Sequence, residues 1–401
     1  MVRFTALDGW RGLAAVLVAL YHLGLAGHFY TWGMVRNSWV FVDFFFVLSG
    51  FVLAYGYSAK LHDRGGVAKF IVRRFGRLWP LHIFTLLVLL ALEVIKYFLL
   101  DATRLPVGEI PFESRRSIPA LFSNLILVQG VGFFDSWTWN GPSWSISAEF
   151  YTYILFAGLF LYFSKRMGWL CAGVSLVAGT LLMLLYFYFD VSEFRVSLVR
   201  CIFEFFAGVS TFYVYDRIKG RVWNFYGLEI LLVVALVGLM STLPAEALFG
   251  SATPFFCAIV LVFAFEQGPI SRFMSSKWVN RLGLYSYSIY LTHYLVIVLV
   301  NASSRVGERL FHISLREWVV VDGKGNDVLT AGGPWVQDVL ALLVIALTVA
   351  VASQTYKFVE VPCQAYFNRL AERIPVRGRG ARQDDRLAGL AIEAPNVAGQ
   401  P

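Results

Sequence analysis

Charge is what this chain has least of. Only 15% of its 401 residues are Asp, Glu, Lys or Arg, against about 25% in an ordinary soluble chain. That shortage excludes a soluble enzyme and a disordered protein. Cysteine is scarce as well. Cys171, Cys201, Cys257 and Cys363 form no Cys-x-x-Cys pair and no metal-ligand spacing. A disulfide-stapled secreted domain is therefore excluded, and no metal site is expected. The first three sit in apolar runs and read as small hydrophobes. No internal repeat is visible, which weakens an inverted-repeat transporter. No Ala-x-Ala cleavage site follows the first apolar run, so that run is expected to be a retained span.

Apolar residues are abundant. The chain is 58% hydrophobic and 17% aromatic, with a mean hydropathy of +0.64. It carries a net charge of +8. In so apolar a chain this excess belongs to membrane-flanking loops rather than to a nucleic-acid surface, and no nucleic-acid partner is expected. The pattern predicts an all-α, polytopic membrane helix bundle of about ten transmembrane helices in the lipid bilayer. Ten apolar runs qualify: 10–27, 39–57, 81–100, 146–163, 169–189, 198–215, 225–243, 255–265, 285–302 and 336–354. The stretch 118–131 is too short to span and reads as a re-entrant or interfacial helix. With the N-terminus inside, 22 of the 34 Lys and Arg fall on inner segments and 9 on outer ones. Both termini are therefore expected in the cytoplasm. Residues 1–374 read as one membrane domain and 375–401 as a disordered cytoplasmic tail. Two outer loops, 101–145 and 303–335, are long enough to be functional.

Ionisable side chains inside a membrane are functional candidates. Arg11 and His22 are eleven residues apart, which at 100° per residue puts them on one helix face about 16 Å apart along the axis. Asp43 and Glu149 lie at the outer ends of the second and fourth spans. A histidine with a carboxylate in reach can serve as a general base. Arg73, Arg74 and Arg77 cluster at a cytoplasmic mouth, where guanidinium forks suit phosphate and lipid headgroups equally. Arg74 and Arg77 share a helix face, and Pro80 is expected to break that helix. His293 sits on a hydroxyl-rich face and reads as structural or catalytic. Glu93 with Lys96, and Arg200 with Glu204, have intrahelical pairing distance. Glu360 is placed to cap its span or pair with an arginine.

Six collinear blocks carry a resemblance. They are Arg3–Ala15 running on to His22, Asp43–Phe51, Arg74–Pro80, Asn140–Glu149, Tyr290–His293 and Glu360–Pro362. Together they resemble the acyltransferase-3 family of integral-membrane acyltransferases. The resemblance implies about ten spans with cytoplasmic termini. It implies transfer of an acyl group, usually acetyl, from acyl-CoA as co-substrate to a hydroxyl of a carbohydrate, glycolipid or small molecule. His22 would be the essential histidine, Arg11 and Arg74/Arg77 the donor-side arginines, and Glu149 the acid after the Trp-Ser motif. Trp10 and His82 depart from the family pattern, and no hydrolase-like domain is expected after the last span.

The expected function is an O-acyltransferase of the bacterial inner membrane, probing outward to cell-surface carbohydrate. His22, Glu149 and Asp43 would be catalytic, and Arg11, Arg73, Arg74 and Arg77 would bind acyl-CoA. Ser49, Ser145, Ser147 and His293 are candidate substrate or oxyanion contacts. The alternative is a transporter or flippase for a sugar or acyl compound, which would not consume acyl-CoA.

Overall fold

A computed structural model describes residues 3–103, 110–163, 167–221, 223–321, 324–330 and 332–376. Most of the expected tail, 377–401, lies outside the described residues.

The chain is a bundle of helices. In order, those of eight residues or more are α1 (Thr5–Leu23), α2 (Phe41–Tyr57), α3 (Arg64–Thr103), α4 (Ile118–Leu125), α5 (Trp144–Tyr162) and α6 (Met167–Met183). They continue with α7 (Ser197–Ile218), α8 (Tyr226–Thr242), α9 (Thr253–Phe263), α10 (Lys277–Phe311), α11 (Pro334–Thr355) and α12 (Val361–Glu372). Among the described residues, seven helical segments are long and apolar enough to cross a bilayer. The 19-residue α1 and the shorter apolar helices α8 and α9 add three more apolar segments. The protein is an integral, multi-pass membrane protein.

Glycine sets two close helix contacts. A Cβ on Gly12 would collide with the Gly283 backbone, and one on Gly283 with the Asp8 carbonyl. This lets α1 and α10 pack backbone to backbone, as small residues do between membrane helices. The same device joins α2 to α7, where Gly50 faces the Phe205 carbonyl and Gly208 the Val47 carbonyl. An ion pair, Asp43–Arg200, crosses the α2–α7 seam, and hydrogen bonds from Arg11 to Ser286 and Gly283 cross the α1–α10 seam, so the seams fix these charged side chains.

Three expectations are corrected. Pro80 does not end its helix: α3 runs unbroken for 40 residues. A proline in a membrane helix is tolerated when neighbours satisfy the local backbone. Here side chains tie the turn before the proline to its neighbours: the Tyr287 hydroxyl donates to the Leu78 carbonyl and Trp79 Nε1 donates to the Leu125 carbonyl. The stretch 118–131 is helical only as far as Leu125, because Leu127 has a positive φ of 58°. The loop 303–335 is partly structured. After α10 it forms a hairpin, β1 (Arg316–Val321) paired antiparallel with β2 (Lys324–Leu329). A parallel bridge from Leu25 to Leu329 docks the hairpin just beyond the end of α1.

Candidate active site

Two cavities lie one beyond the other along α1. The first, at the level of Arg11, holds about 160 Å³. Arg11, Arg74 and Arg77 line it together with Glu149, Ser49, Ser145 and Tyr290. Each guanidinium is fixed by its neighbours. Arg11 Nε donates to Ser286 Oγ (2.8 Å), and its Nη2 donates to the Gly283 carbonyl (3.0 Å). Asp8 on the same helix stands 3.2 Å away. Arg77 pairs with the buried Glu360 at 2.6 Å, and Glu360 also accepts from Ser288. A π-helical turn, Tyr356–Glu360, presents that carboxylate. Arg74 is different. Its Nη2 donates to the Tyr57 hydroxyl at 3.2 Å and its guanidinium lies over the Tyr57 ring. Among the described residues no carboxylate is in ion-pair contact with it. The shared face expected for Arg74 and Arg77 is seen, since both line one cavity. Arg73 does not line it.

The second cavity, at the level of His22, holds about 410 Å³. Its walls are aromatic: Trp39, Trp137, Trp139, Trp144, Tyr186 and Phe249. Trp137 stacks on Trp144 with centroids 4.9 Å apart. The loop carrying Trp137 is tied down by an ion pair between Asp135 and Arg195. Hydrogen bonding from the Arg195 guanidinium holds the exposed Asp135 carboxyl below its usual range. Val42 and Tyr290 line both cavities and so form the wall between them. The Tyr290 hydroxyl donates to the Pro142 carbonyl and lies 2.8 Å from Ser145 Oγ.

His22 lines the second cavity. Its Nδ1 is 2.8 Å from the Val18 carbonyl oxygen. A carbonyl only accepts, so Nδ1 carries the proton and Nε2 holds the lone pair. His293 repeats this arrangement with the Ile289 carbonyl, and the two imidazole centroids are 5.1 Å apart. The α1–α10 seam brings them together. His293 Nε2 is buried without a partner, and His293 lines neither cavity.

The carboxylates expected beside His22 are engaged elsewhere. Glu149 lines the first cavity and accepts from Ser49 Oγ and the Tyr153 hydroxyl, each at 2.5 Å. Asp43 forms a buried ion pair with Arg200, and Arg200 Nε lies 3.5 Å from Glu204. The backbone carbonyl of Val18, rather than a carboxylate, therefore sets the His22 tautomer. The serines are also spent. Ser147 Oγ donates to the Leu127 carbonyl and accepts from Gly130 N, so it fastens a loop. Ser49 is committed to Glu149, and Ser145 to Tyr290 and Pro142.

Sequence reasoning missed the Asp43–Arg200 pair and the aromatic wall. The pair joins residues 157 positions apart, which no helical period reveals. The wall had a visible signal: four tryptophans cluster between Trp137 and Trp144 and at Trp39.

The chain matches the family model described as "Acyltransferase domain" over residues 4–354. It is similar to Acyltransferase MdmB of Streptomyces mycarofaciens, 27% identical over 92% of this chain and 94% of that protein. It is also similar to Peptidoglycan O-acetyltransferase OatA of Listeria monocytogenes, 23% identical over 89% of this chain and 55% of that protein. Protein 2 in picA locus of Rhizobium radiobacter is 39% identical over 24% of this chain and 49% of that protein. No solved structure matches.

Proposed function

This chain belongs to the acyltransferase-3 family of integral-membrane acyltransferases, and on that premise we propose that it moves an acyl group, acetyl in the simplest case, from cytoplasmic acyl-CoA to a hydroxyl of a cell-surface or exported carbohydrate. One observation carries this reading. An arginine-lined cavity and an aromatic cavity bearing an imidazole lone pair share a wall at Val42 and Tyr290.

The donor side is the first cavity. Arg74, backed by Arg11 and Arg77, receives the CoA phosphates at its mouth. A volume of about 160 Å³ is below the roughly 300 Å³ of a typical ligand pocket. It suits a slender pantetheine arm and leaves the nucleotide outside. The rise of about 16 Å from Arg11 to His22 matches the reach of such an arm. The acceptor side is the second cavity, where flat aromatic rings suit the C–H faces of a sugar. His22 Nε2 takes the proton of the acceptor hydroxyl as its oxygen attacks the thioester carbonyl. The C–S bond then breaks, and the imidazolium returns the proton to the CoA thiolate. Ten crossings with both termini in the cytoplasm put the arginines inside and the hairpin outside. A bacterial inner membrane is the setting.

The test is acetyl-CoA binding and turnover by the detergent-purified chain, with methyl glucoside and chitobiose as acceptor probes. The expected result is saturable binding and CoA release stimulated by carbohydrate. Failure to bind any acyl-CoA overturns the donor assignment, and CoA release that no carbohydrate stimulates overturns the acceptor assignment.

A further inference from the structure

We infer that Arg200 is a catalytic residue, supplying the hydrogen bond that stabilises the oxyanion formed at the acyl carbonyl, and that Asp43 is its positioning residue. This rests on the acyltransferase reading above. A tetrahedral intermediate at a thioester carbonyl needs a fixed donor or cation beside its oxygen. The serines near the site have no hydroxyl to spare. Arg200 lines the same cavity as His22 while being only 2% exposed. Its Nε and Nη2 are both committed to Asp43 Oδ1. Its Nη1 has no hydrogen bond among the described residues and is absent from the fully enclosed unpaired atoms. One N–H-bearing nitrogen therefore remains for an occupant of the cavity.

The placement is rigid. The guanidinium lies over the rings of Trp39, Trp144 and Phe249 at 5.1, 5.7 and 4.9 Å. Asp43 pairs with it and Glu204 lies 3.5 Å from its Nε. A buried ion pair is weak evidence for stability, because desolvation offsets the attraction. A guanidinium held in one place, with an N–H left over for the cavity, is the fixed donor that electrostatic preorganisation requires. The other arginines of this cavity are less suited: Arg116 is paired with Glu93 at 2.6 Å, and Arg115 is exposed on the rim.

The step balances within the reaction already described. As the acceptor oxygen bonds to the carbonyl carbon, the C=O π pair moves onto oxygen, facing Arg200 Nη1–H. Collapse restores the C=O bond and expels the thiolate, which takes the proton held by His22.

Arg200→Ala, Arg200→Lys and Asp43→Asn are compared with wild type in acetyl-CoA turnover, with chitobiose as acceptor probe. Arg200→Ala is expected to lose about 10²- to 10³-fold in kcat. Acetyl-CoA affinity should stay unchanged, because Arg200 does not line the donor cavity. Added guanidinium ion should restore turnover saturably, which a merely structural role would not allow. Should Arg200→Ala fail to fold, Arg200→Lys and Asp43→Asn carry the test, each expected to lower kcat without changing donor binding. A raised acceptor KM with kcat intact overturns the oxyanion role, as does a folded variant as active as wild type. A wild-type protein that turns over nothing sinks the acyltransferase reading itself and this inference with it; an active wild type beside an equally active variant sinks the inference alone.

Discussion

His22→Ala is expected to leave a folded membrane protein that still binds acetyl-CoA and transfers almost nothing. A positioned general base contributes about 10²- to 10⁴-fold. Among the described residues no other histidine stands on the wall of the second cavity to replace it. His293, at 5.1 Å between ring centroids, lines neither cavity. The fold should survive because the His22 ring makes one local hydrogen bond, to the Val18 carbonyl four residues back, and no ion pair among the described residues. Steady-state kcat of CoA release, beside a binding isotherm for acetyl-CoA, checks this. Retention of more than a tenth of wild-type kcat, given a normal isotherm, would remove His22 from the mechanism.

Arg74→Ala should weaken acetyl-CoA binding about 10- to 100-fold while leaving the fold stable. A charge-assisted hydrogen bond is worth about 1.5–3 kcal/mol, which is one to two decades in Kd. The variant is clean because no described carboxylate is in ion-pair contact with Arg74, so no buried charge is stranded by its removal. Arg77→Ala makes the contrast. It would strand Glu360, which is only 2% exposed. Breaking a buried pair in this way costs about 3–5 kcal/mol. Arg77→Ala should therefore lower both donor affinity and thermal stability, whereas Arg74→Ala lowers affinity alone. Binding isotherms and detergent-phase melting of the two variants separate these outcomes. Wild-type affinity in Arg74→Ala would show that the phosphates bind elsewhere.

Much of this arrangement was legible in the sequence, and what was legible is local. The 100° period put Arg11 and His22 on one face, and each lines a cavity on the same side of α1. The i, i+3 spacing put Arg74 and Arg77 together. The short range of Glu93 and Lys96 gave a real contact at 3.5 Å, although Arg116 holds Glu93 more closely. Glu360 found an arginine, as its position suggested.

What escaped was set by tertiary packing. Asp43 and Glu149 sit at similar depth in the sequence reading, yet they face different partners. Depth fixes a residue's height in a bundle and says nothing of its direction around the helix. The Gly50–Phe205 and Gly208–Val47 approaches turn α2 toward α7, and Asp43 meets Arg200 on that seam. The rule for water-exposed backbone makes Pro80 a helix breaker. In the bundle, the Tyr287 hydroxyl bonds the Leu78 carbonyl and Trp79 bonds the Leu125 carbonyl, which holds the turn before Pro80 against its neighbours. The hairpin at Arg316–Leu329 lay unread because charged and glycine-rich residues mask its alternation.

Under the proposed function, donor and acceptor come from opposite sides of the membrane and meet at the wall that the two cavities share at Val42 and Tyr290. The most direct measurement uses the protein reconstituted in one orientation in sealed vesicles, with radiolabelled acetyl-CoA confined to the side of Arg74 and chitobiose confined to the side of His22. CoA is expected on the first side and acetyl ester on the second, in equal amounts, both abolished in His22→Ala. Ester formed only when acetyl-CoA and acceptor share one side would contradict it.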